Sequence, residues 1–484
     1  MNKRFWILIG IGIFCMAMLS GAYVLNDPDS VFFVDDQGNL KSKSIDVGSG
    51  SASIDSSGNI VGNTVDTDNM NTQDISIENR HGITSLLGIS DKEYEWDNTN
   101  SDPAVSVEGD IQEYIKEVRV VTMADDGTIN SVCADYENQE IDCITDGSDG
   151  QVMVELPKLY YKETKDANGN LEKVEISEFD LPGFKLHPAF SWGEGRNRDY
   201  VYFGAFEASY DGSALASVSG TATRTDRTMA QYRDEAAARY TGNQTTSSWH
   251  PVGFWQRHLV ELLWYGYYET RNSQESQPGY TEASGYDASY KRNTGRSINC
   301  TTHNCSVTAD LDGTDSDLSS VLSSGDKIAN RFLWMENVFG HIWKFTDGVT
   351  YVPTEAVGVT AGWNGDYQAV YTTADPRKFS SDNTEIYNNY QKLDVTPYAI
   401  SGDDYISKVG TGFVPTDGGA SSSTYWTDNY WSYLTDDSRD YLRSVRAGGF
   451  LSFGGEAGVS SRLSSYVLGA SYSDHASRLC YSKI

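Results

Sequence analysis

Short segments of period-two alternation fill the chain from Gln151 onward, and they constrain its fold more than any other feature. In VMVELPKLYYK, KVEIS and DYVYFGAFEAS apolar and polar residues alternate, so successive side chains point to opposite faces of a sheet. Two windows have helical spacing instead. For MAQYRDEAAARY, Thr225-Asp226 supplies the expected N-cap; Phe254 to Glu269 places Trp255, Leu259, Leu262 and Leu263 on one face. Two helices among many strands predict an α+β domain. Tyrosine (31) and tryptophan (11) far outnumber methionine (8), so these strands are unusually aromatic. That composition suits a β-rich extracellular protein with much binding surface.

At 484 residues the chain exceeds one ordinary domain. Residues 26–75 are polar and repeat a strand–turn–strand pattern, with Asp-Gln-Gly-Asn and Ser-Ser-Gly-Asn as turn residues. They are expected to form a β-repeat stalk or a linker. Residues 76–148 read as a small β-rich region, and 149–484 as the ligand-binding domain, with a distinct tail over 445–484. The stalk units are too short to bury a core alone, which favours a homo-oligomer, with a trimer as one form.

The N-terminus sets the expected compartment. Lys3 and Arg4 precede an uncharged run from Phe5 to Leu25, long enough to span a bilayer. Ser20-Gly21-Ala22 also fits a cleavage site, so residues 1–25 read as a transmembrane signal-anchor or as a removed signal peptide. In either case the rest lies outside, anchored at the cell surface or secreted. Cys133 with Cys143, and Cys300 with Cys305, are spaced as disulfides for an oxidising space. Zinc at Cys300, His303 and Cys305 lacks the second half-site that a tetrahedral ion needs.

Charge excludes other partners. Lys and Arg total 37 against 68 Asp and Glu, a net −31, whereas nucleic-acid binding needs clustered cations. No GxSxG elbow, Walker loop, HExxH or paired CxxC is present. His187 and His341 have apolar neighbours and no recognisable catalytic partner, and His475 reads equally as a surface-loop residue. Asp310, Asp312, Asp315 and Asp317 surround a Gly turn; calcium and a solvated acidic turn are both open there. The expectation is a non-enzymatic protein without a cofactor.

The tail is the informative stretch. Phe450 to Ser477 holds eight Ser and two Tyr among 28 residues, interspersed with Gly and Ala. Tyr gives wide contact at low entropy cost and Ser gives adaptable hydrogen bonding, the pairing used in paratopes. A Ser-rich edge strand has the same composition.

With Gly448-Gly449, Gly454, Ala457-Gly458 and Arg478 in order, this tail resembles the variable region of diversity-generating-retroelement target proteins. Upstream, DGQVMVELPKLYY, GFKLHPAF, DYVYFGAFEAS, ETRNSQ and ENVFGHIWKFTDG are similar to segments of phage receptor-binding proteins of the major-tropism-determinant type. Leu451 stands where that family commonly has Trp, and Ser477 where Phe precedes the Arg. The resemblance implies a C-type-lectin-like fold, shared with the formylglycine-generating oxidases. It also implies ligand contact through Phe450, Ser452, Phe453, Ser460, Ser461, Ser464, Tyr466, Ser471, Tyr472, Ser473 and Asp474, held by scaffold glycines. Tyr425, Trp426, Tyr430 and Trp431 would flank that site or pack beneath it. The expected function is recognition of protein or glycan on another cell or virus. A structural virion or appendage component is the alternative, ahead of an oxidase, since Cys480 has no partner nearby in sequence.

Overall fold

Where the sequence alternates, the backbone pairs. The structure, a computed structural model, describes residues 101–104, 111–193, 195–285, 287–354, 363–435 and 441–483, with five short strands between residues 32 and 62. The chain divides into two compact units, Met1–Lys92 with Phe179–Pro182, and Glu93–Glu178 with Gly183–Ile484. In the first, Phe32–Val34 pairs antiparallel with Leu40–Ser42, and Ile45–Val47, Gly50–Ile54 and Ile60–Gly62 form a three-stranded antiparallel sheet.

The second unit is built on two large sheets. One has six strands in the order Trp249–Pro251, Leu479–Tyr481, Tyr200–Gly204, Gln151–Pro157, Arg119–Met123, Ile129–Ala134. The C-terminal strand is thereby interior to the sheet, and the sheet runs across the boundary expected at 148/149. The other sheet follows the path Gln391–Lys392, Ala369–Thr372, Trp343–Val352, Arg443–Ala447, Arg462–Val467, Asn429–Tyr433, Ser401–Tyr405. His475–Ala476 adds a parallel pairing on Trp343–Lys344. All ten residues of Trp343–Val352 are buried, so this strand is the spine of the unit.

Both helical windows fold as helices, with one change at a cap. The first spans Met229–Ala237, and Thr228 rather than Asp226 is its N-cap. Thr228 Oγ1 accepts from the Gln231 amide, while Gln231 Oε1 accepts from the Thr228 amide, satisfying two donors reciprocally. The second spans Phe254–Tyr268 and stops at Glu269, which takes a left-handed conformation at φ 55°. Every side chain from Phe254 to Tyr265 is buried, including Arg257, His258 and Glu261. This helix is enclosed all round, so its polar groups need partners inside. Arg257 Nε donates to Glu261 Oε1 at 3.0 Å, and Arg462 Nη2 to Glu261 Oε2 at 2.6 Å, tying the helix to the Arg462–Val467 strand.

The expected α+β, C-type-lectin-like class with a membrane helix is corrected. Strand accounts for 32% and helix for 16%, so the protein is mostly β. Physically, the aromatic alternating segments continue to the C-terminus, while helical spacing is confined to short windows. Among the described residues no helix is long and apolar enough to cross a membrane. The longest, Phe254–Tyr268, has 15 residues and carries Arg257 and Glu261. The Phe5–Leu25 run lies outside the described residues, and no membrane helix is carried forward.

Two disulfides are present, Cys133–Cys143 with Cα atoms 5.1 Å apart and Cys300–Cys305 with Cα atoms 6.3 Å apart. His303 beside the second pair bonds Gln139 Oε1 through Nδ1 at 3.0 Å.

Candidate functional site

The tail turns where its glycines permit. Gly448 and Gly449 have φ of +96° and +78°, and Gly454 of +51°, a region that side chains with a Cβ rarely enter. At Gly449 an added Cβ would lie 2.4 Å from the Ala457 Cβ, and at Gly458 it would meet the Asp428 carboxylate at 1.9 Å. These positions fold the segment after Arg443–Ala447 into a short loop. The chain then returns as Arg462–Val467, antiparallel to Arg443–Ala447 and parallel to Asn429–Tyr433.

This path sorts the expected contact residues into two sets. Phe450, Ser460, Ser461, Ser464 and Asp474 are buried. Phe450 belongs to the apolar cluster around Trp343, Leu451 and Leu463. Ser460 meets the Tyr265 hydroxyl at 2.6 Å, and its amide donates to Asp428 Oδ2 at 2.6 Å. Ser461 Oγ donates to the Glu456 carbonyl at 2.7 Å. Ser464 lies between the hydroxyls of Ser432 and Tyr430, each at 3.0 Å. The Asp474 carboxyl is pushed up to about 6 by burial, and Oδ1 sits 3.5 Å from His475 Nε2. These five are enclosed by neighbouring residues rather than turned outward, so the expected contact set divides by burial.

The remaining six face outward. Ser452, Phe453 and Tyr466 are half-buried, and Ser471, Tyr472 and Ser473 are exposed, Tyr472 by 43%. Phe453 stacks on Trp431 with ring centroids 4.8 Å apart, and Trp343 closes the group edge-on at 5.4 Å from Trp431. Tyr466 and Tyr472 pair at 4.7 Å above His475, which lies 5.0 Å from the Tyr472 ring. Trp431, Phe453 and Tyr466 pack against one buried cluster, so the aromatic rings share one face. Of the flanking aromatics, Trp431 and Tyr425 are half-buried whereas Trp426 and Tyr430 are buried.

Beneath this face lies Arg446. Its guanidinium is held between the Phe345 and Tyr466 rings at 4.4 and 4.5 Å, and no nitrogen of it has a hydrogen-bond partner among the described residues. Burial lowers its pKa to about 9. The cation–π contacts fix the Tyr466 ring from below. Arg446 and Trp343 are supporting residues that sequence reasoning did not single out. The signal for Arg446 was a charged residue at an inward position of a strand.

The remaining candidates are structural in their surroundings. His187 and His258 stack with ring centroids 5.1 Å apart, and burial pushes His187 down to about 3. His341 Nδ1 sits 2.5 Å from Glu207 Oε2 in the interior. Asp315 is buried against Arg292 and Arg296, and Asp317 pairs with Arg292 at 2.8 Å, so guanidinium groups take two of the four carboxylates of the acidic turn. Among the described residues no three His, Cys, Asp or Glu side chains are grouped to hold a metal ion. Cys480 is buried without a disulfide partner among the described residues, and burial raises its thiol pKa, which opposes thiolate chemistry. The arrangement offers ring faces and hydroxyl groups on a rigid support. No protein-family model matches the sequence, and no curated protein matches it at a significant level.

Proposed function

We propose that this protein is a binding protein displayed outside the cell, which recognises protein or glycan on another cell or virus through the outward residues of its tail. The observation that supports this most is the shared aromatic face of Trp431, Phe453, Tyr466 and Tyr472, bordered by Ser452, Ser471 and Ser473. Rigid rings lose little entropy on binding, and the neighbouring hydroxyls adapt to polar partners. Both disulfides agree with an oxidising compartment. Oligomerisation through the N-terminal strands would multiply weak single-site affinity.

The positive-φ glycines and the outward set also fit a tail whose surface positions vary on a fixed scaffold. Sequencing codons 445–480 from many cells of one population tests this. Substitutions gathered at residues 452, 453, 466 and 471–473 support retroelement diversification; an invariant tail removes it and leaves fixed specificity. Binding itself is tested with the fluorescently labelled full chain on a glycan array and a panel of intact cells. Tyr472→Ala and Phe453→Ala are expected to lose at least tenfold in apparent affinity. Unchanged binding by both variants would sink the assignment of this face.

A further inference from the structure

The interior between the two large sheets contains a small chamber far from the tail surface in character. Its volume is about 20 Å³, and its walls include Arg257, Lys344, Arg478, Asn337 and Thr346 among apolar side chains such as Met335. All of these wall residues are buried. Three cations and no carboxylate line it.

The neighbouring acids leave that charge incompletely balanced. Lys344 Nζ pairs with Glu207 Oε1 at 2.8 Å. Arg257 pairs with Glu261, but Glu261 is shared with Arg462. Arg478 donates to the carbonyls of Gly204 and Glu336, and its acidic neighbours Glu207 and Glu336 favour its charge without a hydrogen bond from it, Glu207 being shared with Lys344. The Glu336 carboxylate is engaged elsewhere, by the amides of Gly295 and Ser297 and by Ser297 Oγ. Unbalanced positive charge in a low-dielectric interior is costly and draws in a counter-anion. Burial, together with Arg478 and Arg257, lowers Lys344 to about 8 despite Glu207, in keeping with a positive local field.

Size then selects the anion. A space of about 20 Å³ has room for at least one water-sized sphere, which suits a small anion such as a halide. Donors are at hand. Thr346 Oγ1 is buried and has no hydrogen-bond partner among the described residues. Lys344 Nζ donates to the Gly340 carbonyl at 2.7 Å and forms an ion pair with Glu207 Oε1 at 2.8 Å, which leaves it a proton for a further acceptor. We infer that the chamber binds a single monatomic anion, chloride in ordinary salt, coordinated by Lys344 and Thr346 within the field of Arg257 and Arg478. The ion would fasten the Trp343–Val352 strand to the helix Phe254–Tyr268 and to the C-terminal segment.

Crystals of the full chain grown in sodium bromide, with diffraction recorded at the bromine edge, test this directly. One anomalous peak in contact with Lys344 Nζ and Thr346 Oγ1 is expected, at least fivefold weaker in Thr346→Val. Thermal unfolding in sodium chloride and sodium gluconate at equal ionic strength is the companion measurement, with the higher Tm expected in chloride. The absence of a peak inside the chamber overturns the proposal whatever the salts do to Tm, because water then fills the space. Equal Tm values in the two salts beside a chamber peak would overturn the fastening role alone.

Discussion

Phe453 lies nearly parallel to Trp431, with ring planes 28° apart and centroids separated by 4.8 Å, although 22 positions separate them in the chain. The parallel pairing of Asn429–Tyr433 with Arg462–Val467 and the turn at Gly448-Gly449 bring them together. A half-buried stacked pair contributes about 0.5–1.5 kcal/mol beyond its buried area. Phe453→Ala, which loses both the stacking and the ring's buried area, is therefore expected to cost about 2 kcal/mol of stability. Denaturant unfolding measures this, and binding should fall far more than that loss explains.

Tyr472 separates recognition from folding more cleanly. It is exposed by 43%, its ring meets those of Tyr466 and His475, and its other contacts are main-chain ones that an alanine keeps. Tyr472→Ala should change stability by less than about 1 kcal/mol. A Tm within a few degrees of the parent, with binding reduced tenfold, is the expected pair of results.

Two glycines of the same tail should behave oppositely. Gly449→Ala forces a Cβ to 2.4 Å from the Ala457 Cβ at a φ of +78°, and should destabilise by about 2–4 kcal/mol. Gly469→Ala meets nothing within 4 Å and should stay within about 0.5 kcal/mol. Calorimetry on both variants checks the contrast.

Asp428 predicts a pH dependence with a definite sign. Burial raises its pKa from 3.8 to about 7. Between those values the folded protein keeps a proton that the unfolded chain releases, so this contribution is complete below pH 3.8 and lost as pH rises through about 7. Asp428→Asn removes the titration. Relative to the parent, the variant should be less stable at pH 5 than at pH 8, read from urea unfolding at both pH values.

The disulfides should differ in weight. By loop-closure entropy, replacing Cys133 and Cys143 with Ala should cost about 3 kcal/mol, and replacing Cys300 and Cys305 about 2 kcal/mol. Their sequence separations of 10 and 5 set that order. Unfolding midpoints of the two double variants test the ranking.

Local features were legible because their causes are local. Alternation marked the strands Gln151–Pro157, Tyr160–Lys165 and Tyr200–Gly204, and helical spacing marked Phe254–Tyr268. Even the cap error was small: Asp226 and Thr228 both carry a suitable oxygen, and only the reciprocal partner Gln231, three residues beyond Thr228, distinguishes them. The overall class misled because helical windows draw attention out of proportion to their length, while short strands accumulate.

What the sequence determined by itself was where several strands and the two longer helices lie, which cysteines are near enough to join, and which glycines free the tail to turn. Tertiary structure decided which tail residues face outward. Arg462–Leu463-Ser464-Ser465 is covered on both faces, so alternation carries no information about its exposure there. Ser464 and Ser471 are chemically identical in the sequence, yet one lies between Ser432 and Tyr430 while the other meets solvent. The difference comes from strands contributed by residues 343–352, 429–433 and 443–447, whose pairing no local pattern encodes.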